Sequence, residues 1–387
     1  MNNRLTRSIQ AGVRQLTQSR LLLAMIFLLP LGTCLFFIDL MHQGLPIKVP
    51  SAIVDMDNSP LSRRIIQNLN SSQLIDVAYR LSSPTDAFSL MEQGKVFAIY
   101  TIPENFQRDA IGGRKPMITY HCNMSYFIPG TLSYKTLTTS AITTSGTIIK
   151  NALTDIGIED YKANTFLQPI TTQEHLIGNP WASYPIYLTN SFAPCMLQLA
   201  ILLVTVYTLL SEIKHGTSVT WLQQAKGSII VAIAGKMIPQ FIAFSSVGIL
   251  MQAILWGYNS FPMNGNLLMI ILSMLLLVAA TQGFGLLIAG AIPNLRIALS
   301  IVSLIGVLSF SLGGFSFPVD NMYPSIAIFS NIIPARHYFL IYSDVALNGL
   351  DAAWSKWNYI SLLLFPIAGT CVIGRLKKHC LTPTYLP

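Results

Sequence analysis

Apolar residues gather into six long runs: Leu21–Leu40, Ile186–Leu210, Met237–Gly257, Leu267–Ile292, Ile297–Phe317 and the shorter Trp357–Ile373. Each approaches the ~20 residues a helix needs to cross a bilayer, so six spanning helices are predicted. Between the first two runs the pattern changes. Short β-rich segments alternate with helical ones: SAIVDMD then NSPLSRRIIQNLN, LIDVAY then SSPTDAFSLMEQG, KVFAIYTI then PENFQRDAIGG, and finally PMITYHC. That alternation predicts an α/β domain. Ser59-Pro60 and Ser83-Pro84 each put an N-cap hydroxyl before a proline at the first helical position, and Gly94 and Gly112-Gly113 supply stops. Leu61, Ile65, Ile66 and Leu69 share one helical face and read as core. The Thr-, Ser- and Ala-rich stretch from Ile128 to Ile158 predicts one long helix, built from residues that favour helix weakly.

Composition agrees: 52% of residues are hydrophobic and 10% charged, against roughly 25% charged in soluble proteins. The sequence therefore describes a polytopic α-helical membrane protein. Basic residues of short loops stay in the cytoplasm. Arg4, Arg7, Arg14 and Arg20 precede the first run, and Arg375, Lys377, Lys378 and His379 follow the last. Both ends are thus expected inside (N-in, C-in), together with Lys214, Lys226, Lys236 and Arg296, while the uncharged loop Tyr258–Asn266 faces outside. The expected organisation is a cytoplasmic amphipathic N-terminal helix over 1–20, a first transmembrane helix over 21–40, and a periplasmic α/β domain over 41–184. Transmembrane helices two to six follow over 185–375, then a cytoplasmic tail over 376–387. The basic start followed by LGTC is also the pattern of a secretory signal, but Thr33 is a poor residue before such a cysteine and the run is of spanning length. The net charge of +8 needs no nucleic acid, because 41–184 holds eleven basic and eleven acidic residues and the excess lies beside the spans.

Catalytic chemistry is scarce. Asp55 and Asp57, at i and i+2 on a strand, would share a face, yet Asp-Asn-Ser is also how a strand runs into a turn. His121-Cys122 lacks a third ligand. Five cysteines show no metal spacing, and only Cys122 falls in the 41–184 domain, so no disulfide within the chain is expected there. The sequence contains no HExxH, GxSxG or phosphate loop; GKM at Gly235–Met237 lacks the Gly-rich approach and the Ser/Thr. No enzyme activity is expected of this chain.

VDMDNSPLSRRIIQNL (54–69), GKVFAIYTIPENFQRDAIGGRKP (94–116), EIKHGT (212–217), AGKMIP (234–239) and GGFSFPVDNMYPS…IIPARHYF (313–339), in this order and with this span pattern, resemble one family. It is the membrane subunit, or permease, of ABC-2 type exporters, in the bacterial drug- and multidrug-type branch with a large periplasmic domain. The resemblance implies a six-span half-transporter in the inner membrane that pairs with a second permease copy or paralogue. It also implies a separate cytoplasmic ATPase, which carries the ATP and Mg; this chain needs no cofactor of its own. A periplasmic membrane-fusion adaptor and an outer-membrane channel are further implied partners. The implied cargo is a hydrophobic or amphipathic small molecule.

Within that resemblance Glu212, Gly216 and Thr217 stand at the family's Glu-x-x-x-Gly-Thr, and residues 211–236 form the implied ATPase-coupling region, with Lys214 and Lys236 as further members. Ile213-Lys214 and Ser218-Val219-Thr220 depart from the more charged usual pattern. A lysine at the centre of a span costs ~2.5–3.5 kcal/mol, so the third span is expected to start near Met237, with Trp221–Ala234 as a helix along the membrane surface. Residues 318–356 are expected to form re-entrant helices on the outer side, with Arg336 and Asp344 pairing or facing a cavity at an external gate. Glu212→Ala, or a bulky residue at Gly216, is expected to uncouple transport while leaving folding intact. The competing reading is a non-transporting envelope sensor or scaffold. It conflicts with six spans bearing Gly283, Gly285, Gly306 and Gly313, which permit close helix packing.

Overall fold

The computed structural model describes residues 2–40, 48–123, 127–159, 161–162, 167, 178–179, 183–315 and 318–382. The chain divides into two compact units, Met1–His42 with His175–Pro387, and Gln43–Glu174.

In the first unit, six of the described helices are long and apolar enough to cross a membrane: Arg20–Leu40, Pro185–Lys214, Ile229–Tyr258, Leu267–Ala291, Leu295–Leu312 and Ala352–Leu381. They are called the first to sixth spans below. A separate helix, Asn2–Gln18, precedes them. Ser19 breaks the two apart by accepting a hydrogen bond from the Leu22 amide and capping the first span. Small residues set the packing. A Cβ on Gly283 in the fourth span would lie 2.5 Å from Pro366 Cα in the sixth, and one on Gly369 would lie 2.6 Å from the Gly283 carbonyl oxygen. Gly306 likewise admits Leu199 of the second span, and Gly285 admits Thr205. Without a hydrophobic drive in lipid, such close backbone approach is what holds helices together. Gly313 has a different task, standing at the C-cap of the fifth span.

Two boundaries differ from expectation. The third span begins at Ile229, eight residues before Met237, and the surface helix expected over Trp221–Ala234 is reduced to the short helix Ser218–Gln224. The sixth span runs past the expected end at Ile373: its helix Lys356–Thr370 breaks briefly and resumes as Ile373–Leu381, which buries Leu376 and Cys380 against the bundle, so the expected tail is partly a packed helix. After the fifth span come two short helices, Pro324–Asn331 and Pro334–Tyr342. The second is core: Tyr338, Ile341 and Tyr342 are buried.

The second unit is a four-stranded sheet in the order β2-β1-β3-β4, with β1 Val49–Asp55, β2 Ile75–Leu81, β3 Ala98–Ile102 and β4 Thr119–Cys122. β1 pairs parallel with β2 and β3, and β4 closes antiparallel on β3. Alternation along β1 sends Ile53 to a core with Ile65, Ile66, Leu69 and Tyr100, and sends Ala52 and Val54 to a second core with Ala87 and Ile99. Both faces of the sheet are therefore covered. Ser59 caps its helix through the Ser62 amide at 3.0 Å, with Pro60 in the first turn. The Thr-rich stretch is one helix, Phe127–Asp155. Tyr100 and Tyr120 stack 5.5 Å apart and donate to the Ser133 and Gly130 carbonyls, which moors the start of that helix. Burial pushes both phenols well above their ordinary 10.0.

Candidate functional site

The link between the second and third spans is capped at every end. Helix Tyr184–Lys214 closes on Gly216, whose φ of +71° is one that L side chains adopt rarely. The Thr217 amide reaches back to the Glu212 carbonyl at 2.9 Å and the Gly216 amide to the Ile213 carbonyl at 3.3 Å. These are the two bonds of a Schellman cap, which satisfy carbonyls the helix end leaves open. Helix Ser218–Gln224 ends the same way: the Gly227 amide bonds the Leu222 carbonyl and the Lys226 amide the Gln223 carbonyl, both at 2.8 Å. Lys226 takes the left-handed position at φ +52°. Ser228 then caps the third span. Ser218 donates to the Cys380 carbonyl at 2.8 Å, tying the link to the last helix.

Side chains lock this backbone to the bundle. Glu212 takes the Thr217 hydroxyl on one carboxylate oxygen and the Lys236 ammonium on the other at 2.6 Å. Lys236 is 4% exposed. Its ammonium also donates to the Thr208 carbonyl at 2.6 Å and lies 4.6 Å from the centre of the Trp221 ring. Gln240, one turn further along the third span, donates to the Thr208 hydroxyl at 2.8 Å and accepts from Thr205 at 3.3 Å. The second and third spans are thus joined by a polar ladder with a charge pair at its end. A lysine buried in a span is tolerated when opposite charge and acceptors surround it. Lys236 alone is a cost that places the expected span start near Met237; with Glu212 beside it the span extends back to Ile229.

The N-terminal helix rests on the same place. Gly12 meets Gly235 so closely that a Cβ on Gly12 would stand 2.2 Å from the Gly235 oxygen, and one on Gly235 would stand 2.0 Å from Ser8 Oγ. Ser8 donates to the Val231 carbonyl at 3.2 Å. Pro239 has no amide to offer the carbonyl four residues before it, which is that of Gly235. Between the N-terminal helix and the link opens a groove of about 810 Å³. Arg7, Arg14 and Lys226 are exposed on its walls, while Trp221 and Lys236 are buried beneath.

Of the five residues predicted for coupling, Glu212, Thr217 and Lys236 are in direct contact, Gly216 shapes the turn that brings them together, and Lys214 is exposed apart from them. Trp221, Thr208, Gln240 and the Gly12–Gly235 crossing were missed. A lysine inside an apolar run was the available signal, since it demands a carboxylate nearby. Arg336 and Asp344 do not pair: Arg336 donates to the Gly313 carbonyl at 3.1 Å, and Asp344 accepts from Ser355 at 2.6 Å. Asp55 and Asp57 serve the turn after β1. Asp55 accepts from the Asp57 and Asn58 amides and from Ser62, and Asp57 accepts from the Gln107 amide.

The geometry of Gly216 gives a test. Gly216→Asn, which tolerates a left-handed φ, is expected to keep the cap. Gly216→Val should cost about 1–2 kcal/mol and loosen the Thr217–Glu212 contact. Nothing lies within 4 Å of a Cβ there, so the difference between the two variants, read as thermal midpoint of the purified protein, isolates the backbone term.

Six helices long and apolar enough to span a membrane, a folded unit inserted after the first and a capped polar link after the second describe a polytopic membrane protein, and residues 20–374 match the family described as ABC-2 family transporter protein. The chain belongs to that family and is a multi-pass membrane protein. It is 24% identical over 345 residues to the inner membrane transport permease YhhJ of Escherichia coli K12, covering 85% of each chain. It is 22% identical over 313 residues to the probable multidrug ABC transporter permease YbhR of the same organism, covering 79% of this chain and 80% of that one.

Proposed function

We propose that this protein is the permease subunit of an ATP-binding-cassette exporter of the inner membrane. It moves a hydrophobic or amphipathic small molecule outward with ATP hydrolysed by a separate subunit. Membership of a transporter family and relatives titled as permeases support this reading, one of them as a probable multidrug permease. The observation that carries it is the link between the second and third spans. It is short, capped at both turns and fixed to the bundle by the Glu212–Lys236 pair, so a push on the link moves two spans together. Its exposed residues Lys214, Thr217, Thr220, Gln223 and Lys226 form the surface on which the ATPase seats. Glu212 and Lys236 act behind that surface as positioning residues.

The basic asymmetry orients the subunit with both ends and the link in the cytoplasm, which sets the Gln43–Glu174 unit in the periplasm. Arg336 and Asp344 then lie toward the outer end of the pathway. Two permeases, identical or paralogous, complete the pore, and the periplasmic unit is where an adaptor leading to an outer-membrane channel attaches. Affinity purification of the tagged chain from mild detergent tests the reading. An ATP-binding-cassette ATPase is expected in stoichiometric amount. Its absence, with the permease intact and folded, overturns the proposal in favour of an envelope scaffold.

A further inference from the structure

In the Gln43–Glu174 unit a groove of about 690 Å³ runs along the Thr-rich helix. Apolar side chains dominate its walls, and three of them are unusually exposed for their type: Met117 at 76%, Ile142 at 67% and Ile149 at 50%. Contiguous exposure of large apolar groups marks a binding surface. The groove is also less polar than its composition. Thr138 and Thr144 give their hydroxyl hydrogens to the Tyr134 and Ser140 carbonyls at 3.0 and 2.8 Å, so they add methyl groups and no free donor. No carboxylate lines the groove, and its one charge is the exposed Lys115, which makes no salt bridge among the described residues.

We propose that this groove binds a single-chain amphiphile, its apolar chain against Met117, Ile142 and Ile149 and its anionic head at Lys115. The volume falls within the roughly 300–1,000 Å³ of small-molecule sites, which are mostly apolar with a few placed polar groups. A concave, singly charged wall suits such a ligand better than a flat protein partner, whose contact would carry a polar rim. The inference rests on the exporter reading for its biological sense: the site would hold cargo, or a lipid resembling it, after passage.

Binding itself needs neither ATP nor the ATPase, so the two readings can fail separately. The full chain in lipid nanodiscs is irradiated with a long-chain diazirine fatty acid, and adducts are mapped by mass spectrometry, with labelling of the six spans as internal reference. Adducts on peptides containing Met117, Ile142 or Ile149 are expected. Ala141→Trp, which fills the groove from its wall, should lower them about tenfold, equivalent to ~1.4 kcal/mol, with span labelling and thermal midpoint unchanged. Lys115→Ala should weaken labelling by the fatty acid and leave that by the matching fatty alcohol as it was. Labelling confined to the spans, or groove labelling indifferent to Ala141→Trp, overturns the proposal. So does a groove that excludes the probe and crosslinks to another segment of the same chain.

Discussion

Glu212→Ala is expected to destabilise the protein by about 3 kcal/mol, because it strands a buried ammonium beside the Thr208 carbonyl and the Trp221 ring. The Glu212 side chain is 19% exposed, so water softens the loss without removing it. Removing both charges has a different outcome. In Glu212→Met/Lys236→Met the desolvation cost disappears with the pair, and replacing a buried ion pair by apolar groups of similar size is often neutral for stability. The double variant should therefore purify and unfold like the parent. If the pair carries motion from the link to the third span of the proposed exporter, the double variant should still bind the ATPase and support that subunit's ATP hydrolysis while exporting poorly. Thermal midpoints in detergent report the first half, and ATPase activity against transport in reconstituted vesicles reports the second. Full export by a stable double variant would show that the pair holds the fold and nothing more. This revises the expectation from sequence that Glu212→Ala leaves folding intact.

The second large effect is expected at Gly12. A valine there would drive its side chain into the Gly235 carbonyl, and backbone on a packed span cannot yield as a flexible side chain can. The N-terminal helix should lift from the third span, losing the Ser8–Val231 bond and the burial of Leu16. A cysteine placed at Ser8, buried in the parent, should react slowly with a membrane-impermeant maleimide in inside-out vesicles, and at least about tenfold faster when Gly12→Val is added, the ~1.4 kcal/mol that a detached helix readily exceeds. Gly12→Ala tests the same contact with one methyl group. Unchanged reactivity in both would mean that the helix is held elsewhere.

Local chemistry explains which parts of the fold the sequence disclosed. Spans announce themselves by length and apolarity, and the α/β unit by alternating patterns with Ser-Pro starts and glycine stops; these signals lie within a few residues of the structure they specify. The Thr-rich helix was legible in extent, but its groove was not. Thr138 and Thr144 on its wall turn their hydroxyls onto their own helix backbone, which the residue types alone do not show. The start of the third span was misread for the opposite reason. Lys236 is expensive alone and acceptable beside Glu212, and that pairing joins residues 24 positions apart. Glu212, Gly216 and Thr217 were found through a family pattern whose physical content, a helix cap tied to a carboxylate, became visible only in three dimensions. The crossing of Gly12 on Gly235 left no sequence signal, since one glycine in a polar N-terminal helix and another in an apolar span do not reveal that they touch.

The break in hydrogen bonding that Pro239 imposes on the third span falls at the carbonyl over which Gly12 sits. A helix bends most easily where a rung of its ladder is missing. The N-terminal helix packs on the turn of the third span just before that proline, through Val231, Gly235 and Lys236, so flexing of the span at the missing rung would swing it. Mass or rigidity added to the N-terminus is carried by that turn. A bulky N-terminal fusion should slow the transport cycle even when it leaves assembly untouched, and reporters of motion belong on the N-terminal helix rather than on the spans themselves.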